Sequence, residues 1–211
     1  MNSKSKAALS KFDTTGKIIP KSGTEVFGVM PQWEQRVAVF VDVSNLYYPA
    51  VEAYGGHIDY EKFLDFVARG RKLVRAIAYT VAPLDPAKEA GYLGFVGALK
   101  KAGYEVREKR PKIMRHKEGN EEEVMSVKAN WDMGIAMDAI SISLAGKIDV
   151  AALASGDGDF VDLVAFLKSH GVKVEVYSFR RNTAIELIRA ADEFFDLDEH
   201  WERIAYYPVP K

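Results

Sequence analysis

Two hydrophobic periods alternate along this chain. Arg36 to Val41, in "RVAVFVDVSN", is an almost continuous apolar and β-branched run, the mark of a strand buried on both faces. "DYEKFLDFVARG" then spaces Phe63, Phe66 and Val67 at helical intervals behind Asp59, a suitable cap. "LVRAIAYTV" reads as a second strand. "DPAKEAGYLGFVGALKKAG" reads as a helix, with Pro86 near its start and Gly103 past its end. "YEVREK" is a short third strand. A polar stretch, "RPKIMRHKEGNEEE", precedes a long helical segment from about Val124 to Ala145. "KIDVAALAS" is a fourth strand, "DFVDLVAFLKSHG" a helix closed by Gly171, and "VKVEVYSF" a fifth strand. "NTAIELIRAADEFFDLDEHW" reads as a last helix with an exit segment. Strands alternating with helices imply right-handed crossovers, and hence an α/β fold: a doubly wound, mostly parallel five-stranded sheet with helices on both faces.

Residues 1–35 lack this periodicity and are rich in Ser, Lys, Thr and Gly. They are expected to form a partly flexible extension, with "KIIPKSGTEVFGV" able to make a hairpin or to pack on the domain or on a second copy in a homo-oligomer. The domain is expected over 36–197, followed by an exit segment over 198–211. With 211 residues and 48% hydrophobic composition, the chain can bury one sizeable core. The 29 Lys and Arg residues balance 30 Asp and Glu, so any nucleic-acid surface has to be a local patch. The absence of cysteine excludes disulfides and Cys-based zinc sites. No apolar run is long enough for a membrane span, and "MNSKSKAALSKF" has no signal-type apolar core, so a soluble, cytoplasmic protein is expected.

The candidate chemistry is carboxylate chemistry. "LASGDGDFVDL" sets Asp157 and Asp159 one residue apart after a buried strand. Close carboxylates repel and raise one another's pKa unless a cation neutralises them. Gly and Asp are also ordinary turn and capping residues, so this stretch alone fits a turn as well as a metal site. In doubly wound sheets, however, sites form beyond the carboxyl ends of the strands where strand order reverses. Asp42 ends the first strand, and Asp157 and Asp159 end the fourth, its expected neighbour. On a helical wheel, Ile135, Ala136, Ala139 and Ile142 fall within roughly 80° of Asp132, so Asp132 points with the apolar arc. A carboxylate in a helix's first turn also favours the dipole, but that requires no inward direction. Asp138 falls about 120° away, as a solvated or structural position. Asn45 fits a helix cap, or an amide that positions a carboxylate, a water or a phosphate.

"FVDVSN", "KANWD" followed by "MDAI", and "SGDGDF" followed by "LKSHGVKVEVYSF" resemble, in order and spacing, the motifs of the NYN family, the LabA-like branch of the PIN-like nucleases. "RAIAYTV", "FVGALKKAGYEV" and "LIRAADEFFDL" also look like family segments, and the likeness runs from about Arg36 to Leu197. The resemblance implies a PIN-like fold, an acidic metal site and RNA as substrate. Carried over by motif, the site residues are Asp42, Asn45, Asp132, Asp157 and Asp159. Ala129 stands where a glycine is expected, a departure that touches no carboxylate. An all-oxygen cluster suits Mg²⁺ or Mn²⁺. Asp42, Asp132 and Asp157 are then the expected ligands; Asp159 binds metal, directly or through water, or orients the attacking water.

For RNA contact the densest basic stretch offers Arg107, Lys109, Arg110, Lys112, Arg115 and Lys117, following the third strand at the carboxylate end of the sheet. A solvated loop balanced by Glu121 to Glu123 explains the same residues. Tyr47, Tyr48 and Trp131 adjoin the motifs and could stack bases, although a Trp so placed is more often core. The expected activity is metal-dependent endoribonucleolytic hydrolysis; the alternative is a non-catalytic RNA-binding or regulatory interaction domain on the same fold. The chain has no G-x-x-x-x-G-K-[ST] and no G-x-G-x-x-G after its first strand, which sets aside P-loop and dinucleotide-binding readings. Ser44 stands where a haloacid-dehalogenase-like phosphatase needs a second Asp, and no Glu closes the first strand as a Toprim site requires.

Overall fold

The computed structural model describes residues 31–116 and 124–207. The hairpin expected near the N-terminus and Lys117 lie outside the described residues.

Six strands form the central sheet: β1 (Arg36–Asp42), β3 (Lys72–Val81), β4 (Glu105–Lys109), β7 (Val150–Ala154), β8 (Lys173–Ser178) and β9 (Glu193–Asp196). They run in the order β4-β3-β1-β7-β8-β9, and every neighbouring pair is parallel. Successive β1 side chains enter opposite layers, as a strand's two-residue period requires. Val37, Val39 and Val41 pack under α1 (Val43–Tyr54), α2 (Tyr60–Ala68), α3 (Glu89–Lys101) and α7 (Trp201–Ile204). Ala38 and Phe40 pack under α4 (Asp132–Leu144), α5 (Val161–Ser169) and α6 (Ile185–Ala190). The fold is thus PIN-like, α/β and doubly wound, with strand order reversing between β1 and β7.

Three expectations are corrected. The sheet has six strands rather than five, because the last apolar segment is not one helix. It breaks after α6, and Phe194 and Phe195 of β9 pack into opposite core layers, as neighbours on a strand do. The Tyr177 ring stacks on Phe195 at 4.6 Å, giving β9 a partner that helical periodicity does not reveal. The helix expected from Val124 begins at Asp132. Val124–Lys128 is strand β6, paired antiparallel with β5 (Lys112–His116) inside the stretch read as polar connection. That pairing joins two segments too irregular to show a period of their own. Finally, the sequence reading has no helix over α1. Pro49 inside it removes one backbone donor, and Tyr47 and Tyr48 face solvent, blurring the helical pattern.

A short strand, β2 (His57–Ile58), pairs with β10 (Ala205–Tyr206), and Trp201 and Ile204 are buried in the α1–α2 layer. On that side of the sheet sits Glu175, fully buried with Arg71, whose guanidinium donates to both carboxylate oxygens at 2.9 Å; Arg69 and Tyr177 donate to it as well.

Candidate metal centre

The register pairs Val41 with Ala154, so β1 and β7 end side by side. Asp42 is the last residue of β1 and also the N-cap of α1. Its carboxylate accepts the Asn45 backbone N–H at 3.2 Å, and the residue is only 8% exposed. Burial pushes this carboxyl above its ordinary range. The bonds from Asn45 and Ser44 oppose that rise, and the charge of Asp132 adds to it.

After β7 the chain makes a tight loop. Ser155 Oγ accepts the Asp157 N–H at 3.2 Å, and Asp157 Oδ1 accepts the Asp159 N–H at 3.0 Å, capping the turn Gly158–Phe160. The Asn45 side-chain oxygen accepts the Gly156 N–H at 2.8 Å, tying α1 to this loop. A Cβ at Gly156 would stand 2.5 Å from the Asn182 carbonyl oxygen and 2.8 Å from Ser178 Oγ. Glycine at this position is a packing requirement: the loop after β8 lies directly against the loop after β7.

Asp132 enters from α4, as the helix's first residue. The preceding Trp131 donates its indole N–H to the Thr80 carbonyl at 2.8 Å, which fixes the helix start against the end of β3. A Cβ at Gly134 would meet the Trp131 ring at 2.6 Å, so the glycine makes room for the indole. The Asn130 side chain donates to the Asp132 carboxylate.

The result is a convergence of acids. One carboxylate oxygen from each of Asp132, Asp157 and Asp159 lies within 4.8 Å of the others. Burial raises the Asp132 carboxyl, the charges of Asp157 and Asp159 raise it further, and Lys109 works against them. Asp42, expected as a ligand, is not one of these three; it ends β1 next to β7, and the charge of Asp132 raises its carboxyl. Donors that are all carboxylate oxygen, mutually repelling and only partly buried, fit a hard divalent cation.

The remaining candidates fall into place around the acids. Asp138 is not in the trio; it accepts the Tyr79 hydroxyl at 2.9 Å and lies 3.5 Å from Arg107 Nε. Lys109 Nζ sits 4.0 Å over the Trp131 ring and donates to the Asn130 carbonyl at 3.0 Å, next to Asp132. Arg110 pairs with Glu89 at 3.1 Å. Lys112 and Arg115 lie on β5. Asn130, which donates to the Asp132 carboxylate, is a candidate site residue that sequence reasoning missed, since an Asn two places before a helix reads as a turn residue. Thr80 was invisible too, because it contributes through its backbone.

The NYN domain family model matches residues 36–198, a range that includes the candidate positions Asp42, Asn45, Asp132, Asp157 and Asp159. The chain belongs to the NYN family. This NYN protein is similar to the low amplitude and bright protein LabA of Synechococcus elongatus, with 32% identity over 165 residues, 78% of this chain and 84% of LabA. It is also similar to a protein of unknown function from Vibrio parahaemolyticus, whose crystal structure superposes with a TM-score of 0.68 at 33% identity and covers 83% of this chain and 99% of that one. The NYN chain is therefore LabA-like in sequence. Among its described residues no helix is long and apolar enough to cross a membrane.

Proposed function

We propose that this NYN protein is a metal-dependent ribonuclease that hydrolyses RNA phosphodiester bonds at the carboxylate cluster. The observation that carries this reading is the meeting of Asp132, Asp157 and Asp159 within 4.8 Å at the ends of separate elements, with Asp42 beside them. So many carboxylates at one point destabilise a fold that has no use for them. Asp42, Asp132 and Asp157 would hold Mg²⁺ or Mn²⁺. When bound there, such an ion would supply neutralising charge at the reacting phosphate and would make water a stronger nucleophile near neutral pH.

The protein's own groups do the rest. Asp159, the exposed acid at the mouth, orients the attacking water and takes up its proton as the water oxygen bonds to phosphorus and the phosphorus–oxygen bond to the leaving nucleotide breaks. Asn45 holds the loop that carries Asp157 and Asp159. Lys109, fixed over Trp131, offsets the repulsion between acidic site and incoming phosphate, and the neighbouring basic residues extend that field along the RNA.

Purified protein incubated with labelled RNAs and DNAs in Mg²⁺, Mn²⁺ or EDTA tests the proposal. RNA cleavage is expected, and EDTA should abolish it. Asp132→Asn keeps shape and hydrogen bonding but removes charge, and should lower the rate by a factor on the order of 10² to 10³. Asp138→Asn, already turned toward Tyr79 and Arg107, should cost far less. Absence of cleavage under every metal condition would leave a binding or regulatory domain, and wild-type rates in Asp132→Asn would refute the site.

A further inference from the structure

Residues 129–131 carry the chain from β6 into α4, and the ends of two sheet strands hold them. The Trp131 indole N–H donates to the Thr80 carbonyl of β3 at 2.8 Å. Lys109, the last residue of β4, reaches the same connection. Its Nζ donates to the Asn130 carbonyl at 3.0 Å and lies 4.0 Å from the centre of the Trp131 ring. Lys109 is itself fixed: it pairs with Val81 in the β3–β4 ladder, and its carbonyl accepts the Ala82 N–H at 2.8 Å. Asn130, the residue held in this way, donates its side-chain amide to the Asp132 carboxylate. Contacts thus run unbroken from the sheet to a candidate metal ligand.

Two features of this arrangement are not explained by stability. Asn130 is exposed. A hydrogen bond from an exposed amide exchanges with water and contributes little to folding by itself. It can direct the Asp132 carboxylate only where its own backbone is held, and Lys109 and Trp131 hold it. Lys109, in turn, is a cation whose charge is felt at Asp132, yet its amine contacts a carbonyl and an aromatic ring rather than a carboxylate. By Coulomb's law, a positive charge at that place repels an incoming divalent cation. Charge alone therefore makes Lys109 a poor neighbour for a metal centre; its bonds to the connection give it a use there.

We propose that Asn130 is the positioning residue for Asp132, and that Lys109 and Trp131 are the clamp that keeps it in place, so that the Asp132 carboxylate is aligned for a hard divalent cation before the ion arrives. The clamp rests on the metal-site reading of the carboxylates and not on RNA cleavage. Groups that hydrogen-bond to metal ligands and orient them are typically worth about 10- to 100-fold in metal affinity. The clamp and the charge of Lys109 act on cation binding with opposite signs, the clamp strengthening it and the charge weakening it, so removing this side chain tells them apart.

The test is a Mn²⁺ titration of the full chain without RNA, with free Mn²⁺ read from its electron paramagnetic resonance signal. Asn130→Ala should bind Mn²⁺ about 10- to 100-fold more weakly than wild type. Lys109→Met keeps an apolar stem over Trp131 but has neither charge nor donor. It too should bind more weakly, against the direction that loss of the charge dictates. Lys109→Arg restores charge, donor and ring contact and should bind as wild type does. If Lys109→Met proves too unstable to titrate, Asn130→Ala, at its exposed position, decides alone. Unchanged affinity in Asn130→Ala overturns the clamp. Equal or tighter binding in Lys109→Met overturns it as well, by showing that Lys109 acts through charge. No Mn²⁺ binding by the wild type overturns the clamp and the metal site together. The nuclease is judged separately, with labelled RNA in Mn²⁺: weakened Mn²⁺ binding in Asn130→Ala, with no RNA cleavage by the wild type, would sink the nuclease and keep the clamp.

Discussion

Asp42 caps α1 and is buried with its charge, so in EDTA the same carboxylate helps the helix and penalises the fold. Asn is as good a cap as Asp and carries no charge. Asp42→Asn should therefore melt at a higher temperature than wild type in EDTA, yet gain less from added Mn²⁺, since a ligand that binds only the native state stabilises it by linkage. The sign of the pH dependence follows from the raised folded-state carboxyl. Its contribution is fully present below the ordinary value of 3.8 and is lost as pH rises through the folded pKa. The advantage of Asp42→Asn in EDTA should accordingly be larger at neutral pH than near pH 4, which paired melting curves would show; a constant advantage would mean that burial of the charge is not the cause. At this scale the carboxylates themselves were legible, because Asp after a buried strand is conspicuous. Asn130 and Thr80 were not, because one looks like a turn residue and the other acts through its carbonyl.

Among the elements, the β7–Asp159 loop is held from two sides, by Asn45 of α1 and by the Arg180–Asn182 turn after β8. Gly156 is where all three meet. Gly156→Ala pushes a methyl into the Asn182 carbonyl, and such overpacking typically costs about 1–3 kcal/mol. Urea denaturation should show that loss, and the Mn²⁺-induced rise in melting temperature should shrink with it, since the methyl displaces the loop carrying Asp157 and Asp159. A stability loss with an unchanged metal response would show that the loop tolerates the shift. The alternation of β1, β3, β7 and β8 with their helices was readable from periodicity. The start of α4 was not: β6 is defined by its ladder to β5, and a ladder is a relation between two segments.

For the molecule as a whole, the buried Glu175 cluster lies on the α1–α2 side of the sheet and links β8 to the turn before β3. Burial pushes the Glu175 carboxyl up, but hydrogen bonds and charge from Arg71, Tyr177 and Arg69 outweigh it and bring it to about 2. Its contribution to stability is present above its ordinary value of 4.5 and disappears as pH falls toward 2. Glu175→Gln leaves the Arg71 guanidinium buried without a counter-charge, and should lose about 3–5 kcal/mol at neutral pH. The gap from wild type should close on acidification, as followed by urea titrations at several pH values. The Mn²⁺ shift should stay intact, because none of these groups belongs to the carboxylate cluster. Loss of the metal response in Glu175→Gln would mean that the cluster and the metal centre are energetically one unit.

The sequence by itself determined that buried strands alternate with amphipathic helices, because burial on two faces and burial on one face leave different hydrophobic periods. It also determined which acids end those strands, and the inward direction of Asp132, because the turn of a helix is a local property. Tertiary structure alone decided the sixth strand, where Phe194 and Phe195 find opposite core layers, and the β5–β6 ladder. It alone decided that Asn45 holds Gly156, that Trp131 leans on Thr80, and that Asp138 turns to Tyr79 and Arg107. Each of these is a contact between residues far apart in the chain, set by packing that no local pattern encodes.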